Sequence, residues 1–225
     1  MGGLTALVAS KLQYSPRIVS NQADVHPRLE QIVTRHLKHP FLKPPAVYTR
    51  TAYETMLGAW GGTSPLIIDA GCGTGDSTLL LAQQYSNAFV VGVDQSAHRL
   101  AKAAALPENA LLLRADVTDF WRLLHADQIK LAHHCWFYPN PWPKAEHVQR
   151  RWYAHPAFAA VLALGGRLEV RSNWQIFTRE LAASVAVAGL TPPGIVQIQA
   201  AQPISLHERK YRDSQHALYQ VVIHL

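Results

Sequence analysis

From Pro65 onward, short apolar runs alternate with segments of helical spacing, and this alternation limits the possible folds more than any other feature. The runs "PLIIDA", "AFVVGVD", "NALLLRAD" and "IKLAHHCWFY" have strand length and few polar interruptions. Between them, "DSTLLLAQQYS", "SAHRLAKAAAL" and "TDFWRLLHA" repeat apolar residues every three or four positions, as helices do. Strands that are apolar throughout must be covered on both faces, so the pattern predicts an α/β protein with a largely parallel sheet between helical layers. Farther on, the sequence predicts a long helix after the proline loop to about Ala163, a Gly165-Gly166 turn, a strand at "RLEVRS" and a helix from Trp174 to Ala188. "GIVQIQA" and "ALYQVVIHL" alternate as final strands. Upstream, "HPRLEQIVTRHLKHPFLKPP" reads as a short amphipathic helix ended by prolines, and a second helix covers Tyr48–Trp60. Residues 1–44 therefore read as an N-terminal extension and 45–225 as one domain, a size that buries a single core.

Composition narrows the partners. A net charge of +6 points to a polyanion and says nothing about the fold. No apolar run approaches the roughly 18–20 residues that a bilayer requires, and the start lacks the charged and apolar regions of a secretory signal. The expectation is a cytoplasmic protein that uses no membrane. Cys72 and Cys135, the only cysteines, form neither a disulfide framework nor a zinc pattern, so no metal is expected and both read as packing residues.

"IIDAGCGTGDST", Ile67 to Thr78, sets Asp69, Gly71, Gly73 and Gly75 between a strand and a helix. Glycines there let the backbone turn tightly against a ligand. The spacing differs from the dinucleotide fingerprint, because one residue and not two precedes the third glycine. The next strand ends at Asp94 and the one after it at Asp116. Each aspartate taken singly suits a helix N-cap. Three carboxylates in register with a glycine loop suit a ligand that offers an ammonium group, ribose hydroxyls and an adenine amine, and they would repel a pyrophosphate. That sign favours S-adenosylmethionine over a dinucleotide or a nucleoside triphosphate.

"CWFYPNPWPKAEHVQRR", Cys135 to Arg151, then breaks a strand with three prolines around Asn140 and Trp142. Prolines fix φ, so this loop is stiff. Together with the glycine loop it resembles the class I methyltransferases, and more narrowly the bacterial tRNA (guanine-N7-)-methyltransferases. Those proteins carry a "DPWPK"-like loop after the fourth strand, a basic helix, a "TDW" after the fifth strand and a late "TxFE". Pro139, Pro141, Trp142, Pro143, Lys144, His147, Arg150 and Arg151 stand at matching positions, as do Ser172-Asn173-Trp174, and Ser205 and Glu208 in "SLHERKY". The family's loop aspartate is Asn140 here, and its "TDW" aspartate is Asn173.

The resemblance implies a Rossmann-like, seven-stranded sheet with an antiparallel C-terminal strand. It further implies S-adenosylmethionine as methyl donor, tRNA as partner and N7 of a guanine in the variable loop as target. It assigns Asp69, Gly71, Gly73, Gly75, Asp94, Asp116 and Asn140 to the donor, with Asn140 also facing the reacting base. Trp142, Lys144, His147, Arg150, Arg151, Asn173, Ser205 and Glu208 fall on the substrate side, with Lys144, Arg150 and Arg151 as phosphate contacts. Two alternatives remain open. "NPW" also resembles the "NPPY"-type loop of amino-methyltransferases, and loss of two carboxylates also suits a silent module that binds donor or RNA. The oligomeric state is not legible.

Overall fold

The computed structural model describes residues 15, 16, 18 and 20–225, so residues 1–14, most of the expected extension's first half, lie outside the described chain. Two helices lead in: α1 (Leu29–Lys38) and α2 (Val47–Trp60). Then come β1 (Leu66–Ala70), α3 (Asp76–Gln84), β2 (Phe89–Asp94), α4 (Ala97–Leu100), β3 (Ala110–Arg114), α5 (Val117–Ala126) and β4 (His133–Phe137). Two 3₁₀ turns (Ala145–Arg150 and Trp152–Ala154) and α6 (Phe158–Ala163) precede β5 (Arg167–Ser172) and α7 (Gln175–Val187). The chain closes with β6 (Ile195–Ile198), α8 (Leu206–Asp213) and β7 (Leu218–His224).

The seven strands form one sheet in the order β3-β2-β1-β4-β5-β7-β6. β1 to β5 run parallel, and β7 inserts antiparallel between β5 and β6. This is the class I methyltransferase architecture that the resemblance implies. β1 is wholly buried, and its side chains divide between two cores as strand geometry demands. Leu66 and Ile68 join Val91, Val93, Trp136 and Val170 under α1, α2, α5, α6 and α7. Ile67 joins Val90, Cys135 and Phe137 against Leu81 and Ala82 of α3 on the other face. Both cysteines are buried.

Strand order reverses between β1 and β4: from β1 the chain builds outward through β2 and β3, then returns to lay β4 on β1's other side. Register pairs Asp69 with Cys135 and Ala70 with Trp136, so the glycine loop after β1 and the proline loop after β4 leave the sheet side by side. A crevice outside the strands' carboxyl ends opens at such a switch point.

Two expectations need correction. The long helix to Ala163 does not form; Arg151 and His155 are extended (ψ 131 and 148) and split it into two 3₁₀ turns and the short α6. Pro156 pushes His155 out of the helical region, and Arg151 turns inward to reach a buried partner. Likewise, "SAHRLAKAAAL" yields only the four-residue α4. Among the described residues, no helix is long and apolar enough to cross a membrane.

Candidate functional site

A cavity of about 620 Å³ opens at the switch point, within the range of sites that enclose a small molecule. Its walls include Gly71, Asp94, Asp116, Asn140, Trp142, Arg150 and Asn173, which sequence reasoning had singled out.

The first wall is made by the tips of β1, β2 and β3. Gly71, Gly73 and Gly75 all take positive φ (72°, 62° and 80°), a region closed to most side chains. A Cβ at Gly75 would also come within 2.8 Å of Leu112 Cδ1. Asp94 closes the loop from across the strand tips: one oxygen accepts from Gly73 N–H (3.0 Å), the other from Ser96 N–H (2.8 Å) and Arg99 (3.0 Å). A carboxylate has about four lone-pair sites, so Asp94 retains acceptor capacity toward the cavity. Asp116 is the N-cap of α5, taking Thr118 N–H and Asp119 N–H on one oxygen while the other accepts from Gln95. N-cap and cavity wall are thus the same residue. For α4 the cap is Ser96, not Asp94.

Asp69 does not line the cavity. It is buried beneath the glycine loop, where Ser77 (2.6 Å) and Thr78 (2.7 Å) donate to a single oxygen and the other has no partner among the described residues. Burial raises its pKa to about 6; those two hydroxyls oppose the rise and the Asp94 charge adds to it. Its visible task is to pin the start of α3 to β1.

The second wall is the proline loop. Tyr138 (φ 55°) and Trp142 (φ 45°) sit in the left-handed region at its two ends. Asn140 Oδ1 accepts from Trp142 N–H (3.1 Å), a tight side-chain turn that leaves one lone pair of that oxygen and the Asn140 NH₂ to act. Arg150 lies over the Trp142 ring at 4.8 Å, and His147 meets that ring edge-on at 5.7 Å. Asn173 is buried and pairs with His216 Nδ1 (3.1 Å). It also borders a second cavity of about 670 Å³ toward Ser214 and Arg179. The strand-tip aspartates border only the first.

Several substrate-side candidates lie elsewhere. Arg151 is buried, 1% exposed, and ion-paired with Glu180, which removes it from the phosphate contacts expected of it. Glu208, expected on the substrate side, is turned away from it. It lies on α8, fully buried, and accepts from Tyr138 Oη (2.8 Å), Arg171 Nη1 (3.1 Å) and Ile204 N–H (2.7 Å). Ser205 is the N-cap of α8, accepting from Glu208 N–H (3.1 Å). Lys144 is exposed, and its carbonyl is held by Arg151. Lys144 and His147 lie beside the cavity and not on its wall.

Sequence reasoning missed Arg99, Tyr138, Trp152, His155, His207 and Tyr211, all on the cavity wall. Trp152 packs beneath Gly71 and completes a cluster with Trp121 and Trp136, ring centres 5.2–5.3 Å apart. Tyr211 stacks on His216 and leans on Tyr138. Burial lowers the pKa of His155 to about 4, so the imidazole facing the cavity is neutral at pH 7. Tyr211 follows "HER" within a quoted motif, but only the finished fold shows which side chains of that segment point inward. No cluster of three or more His, Cys, Asp or Glu residues among those described is arranged to hold a metal.

Comparison with known proteins agrees with this geometry. Residues 63–214 match the Methyltransf_4 family, described as "Putative methyltransferase". A tRNA (guanine-N(7)-)-methyltransferase of Mycolicibacterium gilvum is 28% identical over 175 residues, 68% of this chain and 65% of the relative. One from Mycobacterium avium is 28% identical over 178 residues, 73% of this chain and 68% of its own. The chain thus spans about two thirds of these relatives' length. Among solved structures, the 16S rRNA methyltransferase KamB superposes with a TM-score of 0.57 at 16% identity, covering 83% of this chain and 98% of its own, a likeness of fold. With the family matched across well over half of its length, and the cavity at the switch point that such a fold uses, the chain belongs to the Methyltransf_4 family of methyltransferases.

Proposed function

We propose that this protein transfers a methyl group from S-adenosylmethionine to N7 of a guanine in tRNA. The observation that carries the reading is the meeting, in one cavity, of the strand-tip carboxylates with the Asn140–Trp142 loop. The wall chemistry fits the donor: Asp94 and Asp116 offer lone pairs to ribose hydroxyls and an adenine amine, and their charge suits a sulfonium and an ammonium. The positive φ of Gly71, on the wall, lets backbone approach where a side chain would be strained. When bound, the donor supplies an electrophilic methyl whose departure leaves a neutral thioether.

Guanine N7 offers a lone pair and no proton, so the chain need only hold the base in line and exclude water. A neutral His155 on the wall gives no proton to the N7 lone pair and adds no repulsion toward the sulfonium. Trp142 and Tyr211 present aromatic surface to a base, and in other systems each stacked base contributes about 1–3 kcal/mol. Arg150 and Lys144 are exposed beside the mouth and suit an RNA backbone. The names of the relatives support tRNA and N7.

An amino-methyltransferase with an "NPPY"-type loop would direct its Asn oxygen at an exocyclic amine; here one of that oxygen's two lone pairs already accepts from Trp142 N–H. The experiment is incubation of the protein with tRNA and labelled donor, followed by mass spectrometry of the nucleosides. Labelled 7-methylguanosine is expected. Label in N6-methyladenosine or in protein would move the reading to an amino-methyltransferase, and bound donor without product would leave a silent binding module.

A further inference from the structure

Arg151 and Glu180 form a fully buried ion pair, 1% and 0% exposed, outside the cavity wall. Replacing such pairs with apolar residues is often neutral or stabilising, so burial alone does not explain one. The other partners of this pair do. Arg151 donates through Nε (3.2 Å) and Nη2 (3.0 Å) to the carbonyl of Trp142, and Nη2 also reaches Lys144 O (3.4 Å). The guanidinium therefore grips the far end of the proline loop, at the residue held with φ of 45°. On the other side, Glu180 accepts from Tyr153 Oη (2.6 Å), Gln22 Nε2 (2.5 Å) and His26 N–H (2.8 Å). Gln22 closes the circuit by accepting from Arg151 Nη2 (3.1 Å).

We infer that the Arg151–Glu180 pair, closed by Gln22, is a positioning clamp for the Asn140–Trp142 loop, so that a segment preceding residues 63–214 sets the geometry of methyl transfer. The inference rests on the reading of that loop as part of the transfer site. Its fork of N–H groups suits Arg151 to bridge two carbonyls and a carboxylate at once, which an ammonium does with poorer geometry. Arg151, Glu180 and Gln22 lie off the wall of the first cavity; each acts through the backbone at Trp142.

The test compares wild type with Gln22→Ala and Arg151→Lys. Gln22 is only half-buried, so its variant keeps the fold if Arg151→Lys does not. Amide exchange is read over residues 138–147 and, as an internal control, over 133–137; the first is expected to exchange about tenfold faster in either variant and the second to stay unchanged. Affinity for S-adenosylhomocysteine should stay within about twofold, while kcat on tRNA falls about threefold in Gln22→Ala and about tenfold in Arg151→Lys with less change in KM. Unchanged exchange at 138–147, or an equal rise across 133–137, would overturn the clamp. A wild-type protein inactive on tRNA would defeat the functional reading and leave the exchange result to decide the clamp.

Discussion

The two walls of the cavity are built in opposite ways. At the strand tips, each carboxylate is set largely by chain neighbours: Asp94 by Ser96 and Arg99, and Asp116 by Thr118 and Asp119. Gly73 and Gln95, each 21 residues from its partner, complete them. Across the cavity, partners come from far along the chain. Tyr138 reaches Glu208 over 70 residues, Asn173 reaches His216 over 43, and Gln22 reaches Glu180 over 158. Charge differs as well. Asp94 and Asp116 stand on the cavity wall, whereas Glu208 and Glu180 are turned inward against Arg171 and Arg151, leaving Asn140 and Asn173 as neutral amides on the wall. One wall is an acceptor surface fixed by local turns; the other is an aromatic and amide surface hung on buried ion pairs.

Breaking the second wall at its anchor should show the largest effect. Glu208→Ala leaves Arg171 half-paired and strips Tyr138 of its acceptor, and truncating one partner of a buried pair costs about 3–5 kcal/mol. Denaturant unfolding should report that loss; a change below about 1 kcal/mol would mean that the wall does not depend on this contact.

Acid acts next, on groups buried in and behind the walls. Burial lowers the pKa of His134 and His155 to about 4, so both bind protons on unfolding and their stabilisation is lost as pH falls from the unfolded value near 6.5 through 4. Asp69, raised to about 6, has the opposite sign: the native state binds its proton first, and stability rises as pH falls from 6 toward 3.8. The two histidines outweigh the one aspartate. His134→Asn should reduce proton uptake on unfolding at pH 5 by about one, or about 1.4 kcal/mol per pH unit in slope. An unchanged slope would contradict the assignment.

Restoring acceptors to the amide wall should have a smaller effect. Aspartate at position 140 can keep the turn to Trp142 N–H and replace the amide NH₂ with an acceptor. The Asn140→Asp, Asn173→Asp double variant is expected to raise the rate of 7-methylguanosine formation about tenfold, about 1.4 kcal/mol in barrier. An equal or slower rate would indicate that the base is read through donors. The smallest effect belongs to Asp116→Ala, which should cost about 1 kcal/mol through loss of the α5 cap, seen as a fall of a few degrees in Tm. No shift would mean that Gln95 or water replaces the cap.

The contrast also explains what the sequence made legible. Strands β1 to β4, the glycine turns and the aspartates at the tips of β2 and β3 follow from periodicity and local backbone needs, and the chain displays these directly. Arg151 illustrates the limit. In a run with Arg150 it reads as one more cation on a helix face, yet Arg150 lies over Trp142 in solvent while Arg151 turns inward to Glu180. Glu180, the partner that draws Arg151 inward, lies 29 residues away on α7. The burial of Glu208 is hidden for the same reason: its partner Arg171 lies 37 residues away on β5. Tyr211 and His155 went unnoticed because their exposure to the cavity depends on where α8 and the second 3₁₀ turn come to rest.

The account depends most on the acceptor wall holding a sulfonium nucleoside, and calorimetric titration with S-adenosylhomocysteine addresses that directly. Wild type should bind one molecule per chain, and Asp94→Ala should bind at least about tenfold more weakly, because it removes a charged acceptor and frees Gly73 N–H. Absence of binding to wild type, or equal affinity in the two proteins, would contradict the account.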